Sequence, residues 1–255
     1  MKVNELKRKL QRGETVIGPF MCASHGSFVE VVGLAGFDFA IIDMEHGPLE
    51  VQTVEELCRT AHCANLTPIV RVRKNDGPQI QRALDIGSGG VQVPQIETRA
   101  DAEAAVRGAK YQPWGMRGLS FYTRAGDYTL NGVAGLTDKL NEEQMLIVHV
   151  EGKRGLENLD EIIQVPHIDV IFLGPYDLSQ SLGIPGQISH PKMVEAVDRA
   201  LRITQEAGKI PGIFATSVEE AKRRVAQGFR YIAYSMDILL FASVCREVVQ
   251  ALRKA

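Results

Sequence analysis

The sequence predicts a (β/α)₈ barrel, on three observations. Eight short apolar, β-rich runs recur at fairly even spacing along 255 residues. Helical patterns fill most of the intervals, and nothing in the composition divides the chain in two. Short apolar strands alternating with helices imply a parallel sheet covered on both faces, and a count of eight implies closure. The competing doubly wound sheet would need a GxGxxG after its first strand, and none is present. The reading is one barrel domain over residues 1–255.

In chain order, MKVNELKRKLQRGE is an amphipathic helix rather than a signal peptide, because no apolar stretch follows its basic residues. The strands are VIGPFMC (16–22), FDFAIIDME (37–45), TPIVRVR (67–73), GGVQVPQI (89–96), MLIVHVE (145–151), IDVIFLG (168–174), KIPGIFA (209–215) and FRYIAYSMD (229–237). The helical segments are SFVEVVGLAG, LEVQTVEELCRTAHCAN, DGPQIQRALDIG, RADAEAAVRGAK, HPKMVEAVDRALRITQEAG and SVEEAKRRVAQG. Several stop at Gly or Asn, as helices commonly do. Tyr111–Gln144 breaks the rhythm with a long, Gly-rich, polar connection, and such connections are often functional.

Hydrophobic residues make up 45% of the chain and charged residues 24%, as in a globular protein with a sizeable core. The net charge of -2 and the absence of a dense basic run (Lys222-Arg223-Arg224 is short and helical) argue against nucleic acid or a membrane surface as partner. The cysteines, Cys22, Cys58, Cys63 and Cys245, lack CxxC spacing and read as idle thiols. No apolar stretch approaches the roughly 20 residues that span a bilayer. The expected compartment is the cytoplasm.

Barrel active sites gather where the strands end. The second strand ends in Asp43, Glu45 and His46; the third carries Arg71 and Arg73; the fifth ends in His149 and Glu151; the sixth runs into GPYDLS with Asp177. Residues two apart share a strand face. Glu151 and Asp177, on adjacent strands, can form an oxygen site for Mg²⁺ or Mn²⁺, or pair with a barrel arginine. Arg71 offers a fixed positive charge to a carboxylate or enolate oxygen, or neutralises Glu45 or Asp43. His46 can act as a general base or be structural. His149 can ligate a metal or orient a water or Glu151. A helix beginning near Asp177 would aim the Tyr176 and Asp177 amides at a small carboxylate, or Asp177 would simply cap it. Gly87-Ser88-Gly89-Gly90 reads as a helix stop. Schiff-base chemistry is disfavoured, since the sixth strand has no lysine, Lys209 opens the seventh and Lys153 faces solvent.

Together FDFAIIDMEHGP, PIVRVR, ALDIGSGGVQVP, YQPWGMRG, VEGKRGLENLDEI and IDVIFLGPYDLSQSLGIPG resemble, in order and over nearly the whole chain, the HpcH/HpaI aldolases. These are metal-dependent class II pyruvate aldolases. The resemblance implies a (β/α)₈ barrel assembled as a hexamer, a trimer of dimers, with the last helix exchanged between subunits. It implies a divalent cation (Mg²⁺, Mn²⁺ or Co²⁺) on Glu151 and Asp177, His46 as base with Asp43 orienting it, and Asp85 as further acidic support. It implies that Arg71 holds the pyruvate carbonyl oxygen, and that Gly174-Pro175-Tyr176-Asp177 receives the pyruvate carboxylate. The partners implied are a 2-oxo acid and an aldehyde, joined or separated through a pyruvate enolate. His149, where many relatives carry Gln, falls among the substrate-binding positions, and LSFYTRAGDY departs from the small-residue loop of the best-known members. Phe121, Tyr122 and Arg124 are therefore candidates for the aldehyde pocket or for loop packing. The other readings are an enolate-forming lyase or oxaloacetate decarboxylase of the citrate-lyase β-like or macrophomate-synthase-like kind, and a catalytically silent ligand-binding barrel.

Overall fold

The computed structural model describes residues 3–253, so Met1 and Lys2 of the expected first helix, and the last two residues of the domain, lie outside it. Eight parallel strands close in sequence order: β1 (Val16–Met21), β2 (Phe39–Asp43), β3 (Thr67–Arg71), β4 (Gly90–Val93), β5 (Met145–His149), β6 (Val170–Leu173), β7 (Ile210–Ala215) and β8 (Tyr231–Met236). β8 pairs with β1 to complete the ring, with a register shift between Gly18 and Phe20. The predicted barrel is confirmed.

Around the strands lie α2 (Gly26–Leu34), α3 (Val51–Cys63), α4 (Gly77–Asp85), α5 (Arg99–Ala109), α6 (Leu136–Glu143), α7 (Lys153–Glu157), α8 (Leu159–Ile162), α9 (Pro175–Ser181), α10 (Pro191–Glu206), α11 (Val218–Gln227) and α12 (Asp237–Arg253). Local chemistry sets their starts. Asp76, Thr98 and Ser217 cap α4, α5 and α11 by accepting from the third residue of each helix, and Thr98 and Asp101 form a reciprocal capping box.

Strand parity sorts the side chains into two cores. Phe39, Ile41, Ile69, Ile147, Phe172 and Tyr231 fill the barrel interior, joined from below by Leu6 and Leu10 of α1 (Glu5–Gln11). Alternate residues such as Ala40, Ile42, Val70 and Val148 pack outward against the helices. Two more residues along the inward parity lead from Ile41 to Asp43, from Ile69 to Arg71, and from Ile147 to His149 and on to Glu151. The arithmetic that builds the core therefore also delivers its polar rim.

Of the two readings of the long connection, aldehyde pocket or loop packing, the structure fits packing. It holds a 3₁₀ segment, Arg124–Thr129, and α6, and it lies at the face where the strands begin. There Arg124 Nη2 is 3.3 Å from His62 Nδ1 near the end of α3, and Arg59 Nη2 donates to the Tyr128 hydroxyl at 3.0 Å. The buried Lys110 ammonium donates to the carbonyls of Asn141 (2.7 Å) and Gln144 (2.6 Å), tying the connection down; burial lowers its pKa to about 8. Phe121, Tyr122 and Arg124 consequently do not line the strand-end cavity of their own barrel. The reason is local: these anchors hold the segment beneath α3 and α4.

α12 carries an exposed apolar stripe, as α2 does at Phe28, Val31 and Leu34. Asp237 is buried, but Phe241, Val244, Val248 and Leu252, at helical spacing, are exposed. No helix among the described residues is long and apolar enough to cross a membrane.

Candidate active site

Where the strands end, a cavity of about 510 Å³ is lined by Glu45, His46, Gln95, Glu151 and Asp177, with Glu97, Thr98, Asp101, Gly152 and Arg154 on its outer wall. Glu151 and Asp177 thus meet at one space, as the strand order suggested. Arg71 and His149, both buried, back this lining by bonding Glu45 and Glu151 respectively.

Adjacent register sets Asp43 beside Arg71 on β2 and β3. Arg71 Nε donates to Asp43 Oδ1 (2.8 Å), Nη2 to Oδ2 (2.6 Å), and Nη1 pairs with Glu45 Oε2 (2.9 Å). A guanidinium carries five N–H donors, so this arrangement leaves two for a ligand. The guanidinium also lies over the Phe20 ring, 4.6 Å from its centre. Asp43 is fully buried and satisfied on both oxygens, and its Oδ1 also accepts from the Glu45 and His46 amides (3.0 and 3.4 Å). Its carboxylate therefore holds the His46 main chain rather than the imidazole. The imidazole is exposed, with Nε2 3.9 Å from Glu45 Oε2. Burial raises the Glu45 pKa, Arg71 opposes this, and the charge of Glu151 adds to the rise.

Glu151 is held on both oxygens. Gln95 N–H donates to Oε1 (2.9 Å), and His149 Nδ1 lies 2.8 Å from Oε2. Burial pushes this carboxyl up, but His149, the Gln95 amide and Arg71 together outweigh it, so its pKa falls below the ordinary value. Gln95 presents its amide from a left-handed backbone, φ 57°, an unusual conformation for a non-glycine residue. Gly174 completes the fit: a Cβ there would stand 2.6 Å from Glu151 Oε2. In α9 the first turn closes with Leu178 N–H to Gly174 O at 3.0 Å, so the Tyr176 and Asp177 amides precede the first intrahelical bond. Pro175 is buried, and the half-exposed Tyr176 ring meets Phe214 edge-on at 6.0 Å.

Two assignments need correction. Asp85 lies at the end of α4, paired with Arg117 and near Gln81 (3.5 Å), in a separate cleft with Thr123 and Arg124. The end of the helix after β3 returns to the face where β4 begins, so Asp85 is remote from this cavity within the protomer. His149 has both ring nitrogens engaged, by Glu151 and by Gln92, and is buried, so it is not free to take a substrate group. Arg73 also leaves the site, binding Glu50 Oε1 (2.7 Å) and the Leu49 carbonyl (3.1 Å) outside the barrel. Sequence reasoning missed Gln92, Gln95 and Tyr231. A glutamine inside the apolar run GGVQVP was the available sign for Gln92.

A (β/α)₈ barrel with carboxylates, an imidazole and a buried arginine at its strand-end mouth has the make-up of a barrel enzyme. Residues 17–243 match the HpcH/HpaI aldolase/citrate lyase family, and the chain belongs to it. A pyruvate aldolase of Rhizobium etli is 36% identical over 95% of this chain and 94% of its own length. A 2-dehydro-3,6-dideoxy-6-sulfogluconate aldolase of Pseudomonas putida is 34% identical over 96% and 95%. The crystal structure of a family protein from Burkholderia cenocepacia superposes with a TM-score of 0.93 at 33% identity, over 98% of this chain and 99% of that one.

Proposed function

We propose that the protein is a divalent-metal-dependent aldolase that reversibly cleaves a 4-hydroxy-2-oxo acid to pyruvate and an aldehyde. The observation that carries this is the meeting of Glu151 and Asp177 at one cavity beside His46 and the Arg71 cluster. The donor set fits a hard cation: two carboxylates open on the cavity, one of them clamped, and the Gly174 turn leaves room for the clamped oxygen. Mg²⁺, Mn²⁺ and Co²⁺ are the candidates, and a cation with so few protein ligands keeps waters. When bound, it supplies Lewis-acid polarisation of the 2-oxo group.

The protein's own groups supply the rest. The Tyr176 and Asp177 amides, at a helix start, receive the pyruvate carboxylate. The two free N–H groups of Arg71 stabilise negative charge on the enolate oxygen, and Asp43 keeps the planar guanidinium aimed. His46, exposed at the cavity edge, takes the C3 proton of pyruvate or the 4-hydroxyl proton of the adduct. Solvent deuterium exchange into the pyruvate methyl group, followed by NMR, tests this half-reaction without knowledge of the aldehyde. Exchange should require Mg²⁺, Mn²⁺ or Co²⁺ and vanish with EDTA; exchange indifferent to chelation would refute the metal role.

The family's description includes citrate lyases, which supports a second reading: an enolate-forming lyase or oxaloacetate decarboxylase. CO₂ released from oxaloacetate, with no aldol product from pyruvate and any aldehyde, would select it. The exposed apolar stripe of α12 supports a homohexamer, a trimer of dimers with that helix exchanged; sedimentation equilibrium should then give six times the protomer mass. We infer one barrel domain over residues 1–255, acting in the cytoplasm.

A further inference from the structure

We propose that Tyr231, Gln92 and His149 form a one-directional hydrogen-bonded strut through the barrel interior that fixes the His149 tautomer and so aims the Glu151 carboxylate into the cavity. The inference rests on the role proposed above for Glu151. All three residues are buried in the barrel, on β8, β4 and β5 respectively. The Tyr231 hydroxyl donates to Gln92 Oε1 at 3.2 Å, Gln92 Nε2 contacts His149 Nε2, and His149 Nδ1 lies 2.8 Å from Glu151 Oε2.

The direction of the strut follows from donor and acceptor chemistry. Burial holds the Tyr231 pKa far above its ordinary value, so the phenol keeps its proton and donates. A donating phenol claims the carbonyl end of the Gln92 amide and leaves the NH₂ end for the histidine. An NH₂ group can bond only an unprotonated Nε2. The ring proton is then on Nδ1, where it donates to Glu151. Reversing the Gln92 amide would set two donors against each other at Tyr231 unless the hydroxyl turned away. The strut needs no solvent, and the rings around it hold it: Tyr231 stacks on Phe39 with centres 4.3 Å apart, and the His149 ring packs on Phe172 at 4.5 Å. With Gln95 on the other oxygen, Glu151 has one orientation. Tyr231 and Gln92 are positioning residues, acting through His149 on a group they do not touch.

The decisive experiment is ¹⁵N NMR of the full-length, histidine-labelled protein, with His149→Gln assigning the resonance. The wild type should show His149 as the neutral Nδ1–H form. Tyr231→Phe keeps the ring packing and removes only the hydroxyl; it should release the amide and give mixed tautomers, and Mn²⁺ affinity measured by calorimetry should weaken about tenfold. Gln92→Met, of similar volume, should do the same if Tyr231→Phe folds poorly. An Nε2–H or doubly protonated His149 in the wild type, or an unchanged tautomer and Mn²⁺ affinity in both variants, would overturn the strut. Tautomer release in protein that never binds Mn²⁺ would leave the strut standing and refute the metal role of Glu151.

Discussion

Glu151→Gln lowers metal-dependent deuterium exchange into pyruvate by about 10³-fold or more, while leaving the barrel folded. The magnitude follows from the several kcal/mol that a Lewis acid contributes to a developing enolate, at about 1.4 kcal/mol per factor of ten. The fold survives because the substitution is isosteric. The amide oxygen can accept from Gln95 N–H or from His149 Nδ1–H but not from both, and the donor left facing the new NH₂ costs about 1–3 kcal/mol, which the barrel absorbs. What is lost is the second negative charge facing Asp177 across the cavity, and with it the attraction for a divalent cation. Calorimetry with Mn²⁺ and the exchange rate should fall together. Retained exchange in Glu151→Gln, at undiminished Mn²⁺ affinity, would remove Glu151 from the mechanism.

Arg71→Met has a different signature, because its largest effect is on stability. Asp43 has no exposure at all, and Arg71 is its charge partner through two hydrogen bonds. Removing one member of a buried pair strands the other, which costs about 3–5 kcal/mol. At about 2–4 °C per kcal/mol in a protein near this size, the melting temperature falls by roughly 10 °C. The double variant Arg71→Met/Asp43→Leu removes the stranded Asp43 charge and should recover part of the loss; the remainder is the cost of the Glu45 carboxylate and of the Glu45 and His46 amides, which it leaves without these partners. Exchange activity should not return with stability, because the donors for the enolate oxygen are gone. A double variant as unstable as the single one would show that the cluster's packing, rather than its charge balance, holds this end of the barrel.

The fold was legible because parallel strands buried on both faces read as continuous apolar runs, and all eight were visible. The same parity made Asp43, Arg71, His149 and Glu151 legible as inward-facing residues at strand ends. The rest depended on where the chain turns back. The resemblance implied Asp85 as acidic support, but Asp85 closes a helix, and a helix after a strand ends at the opposite mouth of its own barrel. LSFYTRAGDY was open between the aldehyde pocket and loop packing, because the contacts that decide for packing, Arg59 with Tyr128 and His62 with Arg124, span 69 and 62 residues of sequence. Gln95 acts through its main-chain amide, which no side-chain pattern reports. Tyr231 lies across the barrel from Gln92, 139 residues away, a pairing that only closure of the sheet creates.

The exposed stripe on α12 has a thermodynamic consequence. If a neighbouring protomer covers Phe241, Val244 and Val248, part of each barrel's stability is a binding free energy. That portion is set by protein concentration as well as by sequence. Dilution would then loosen the molecule as heating does, and the unfolding temperature would be a property of the solution as well as of the chain.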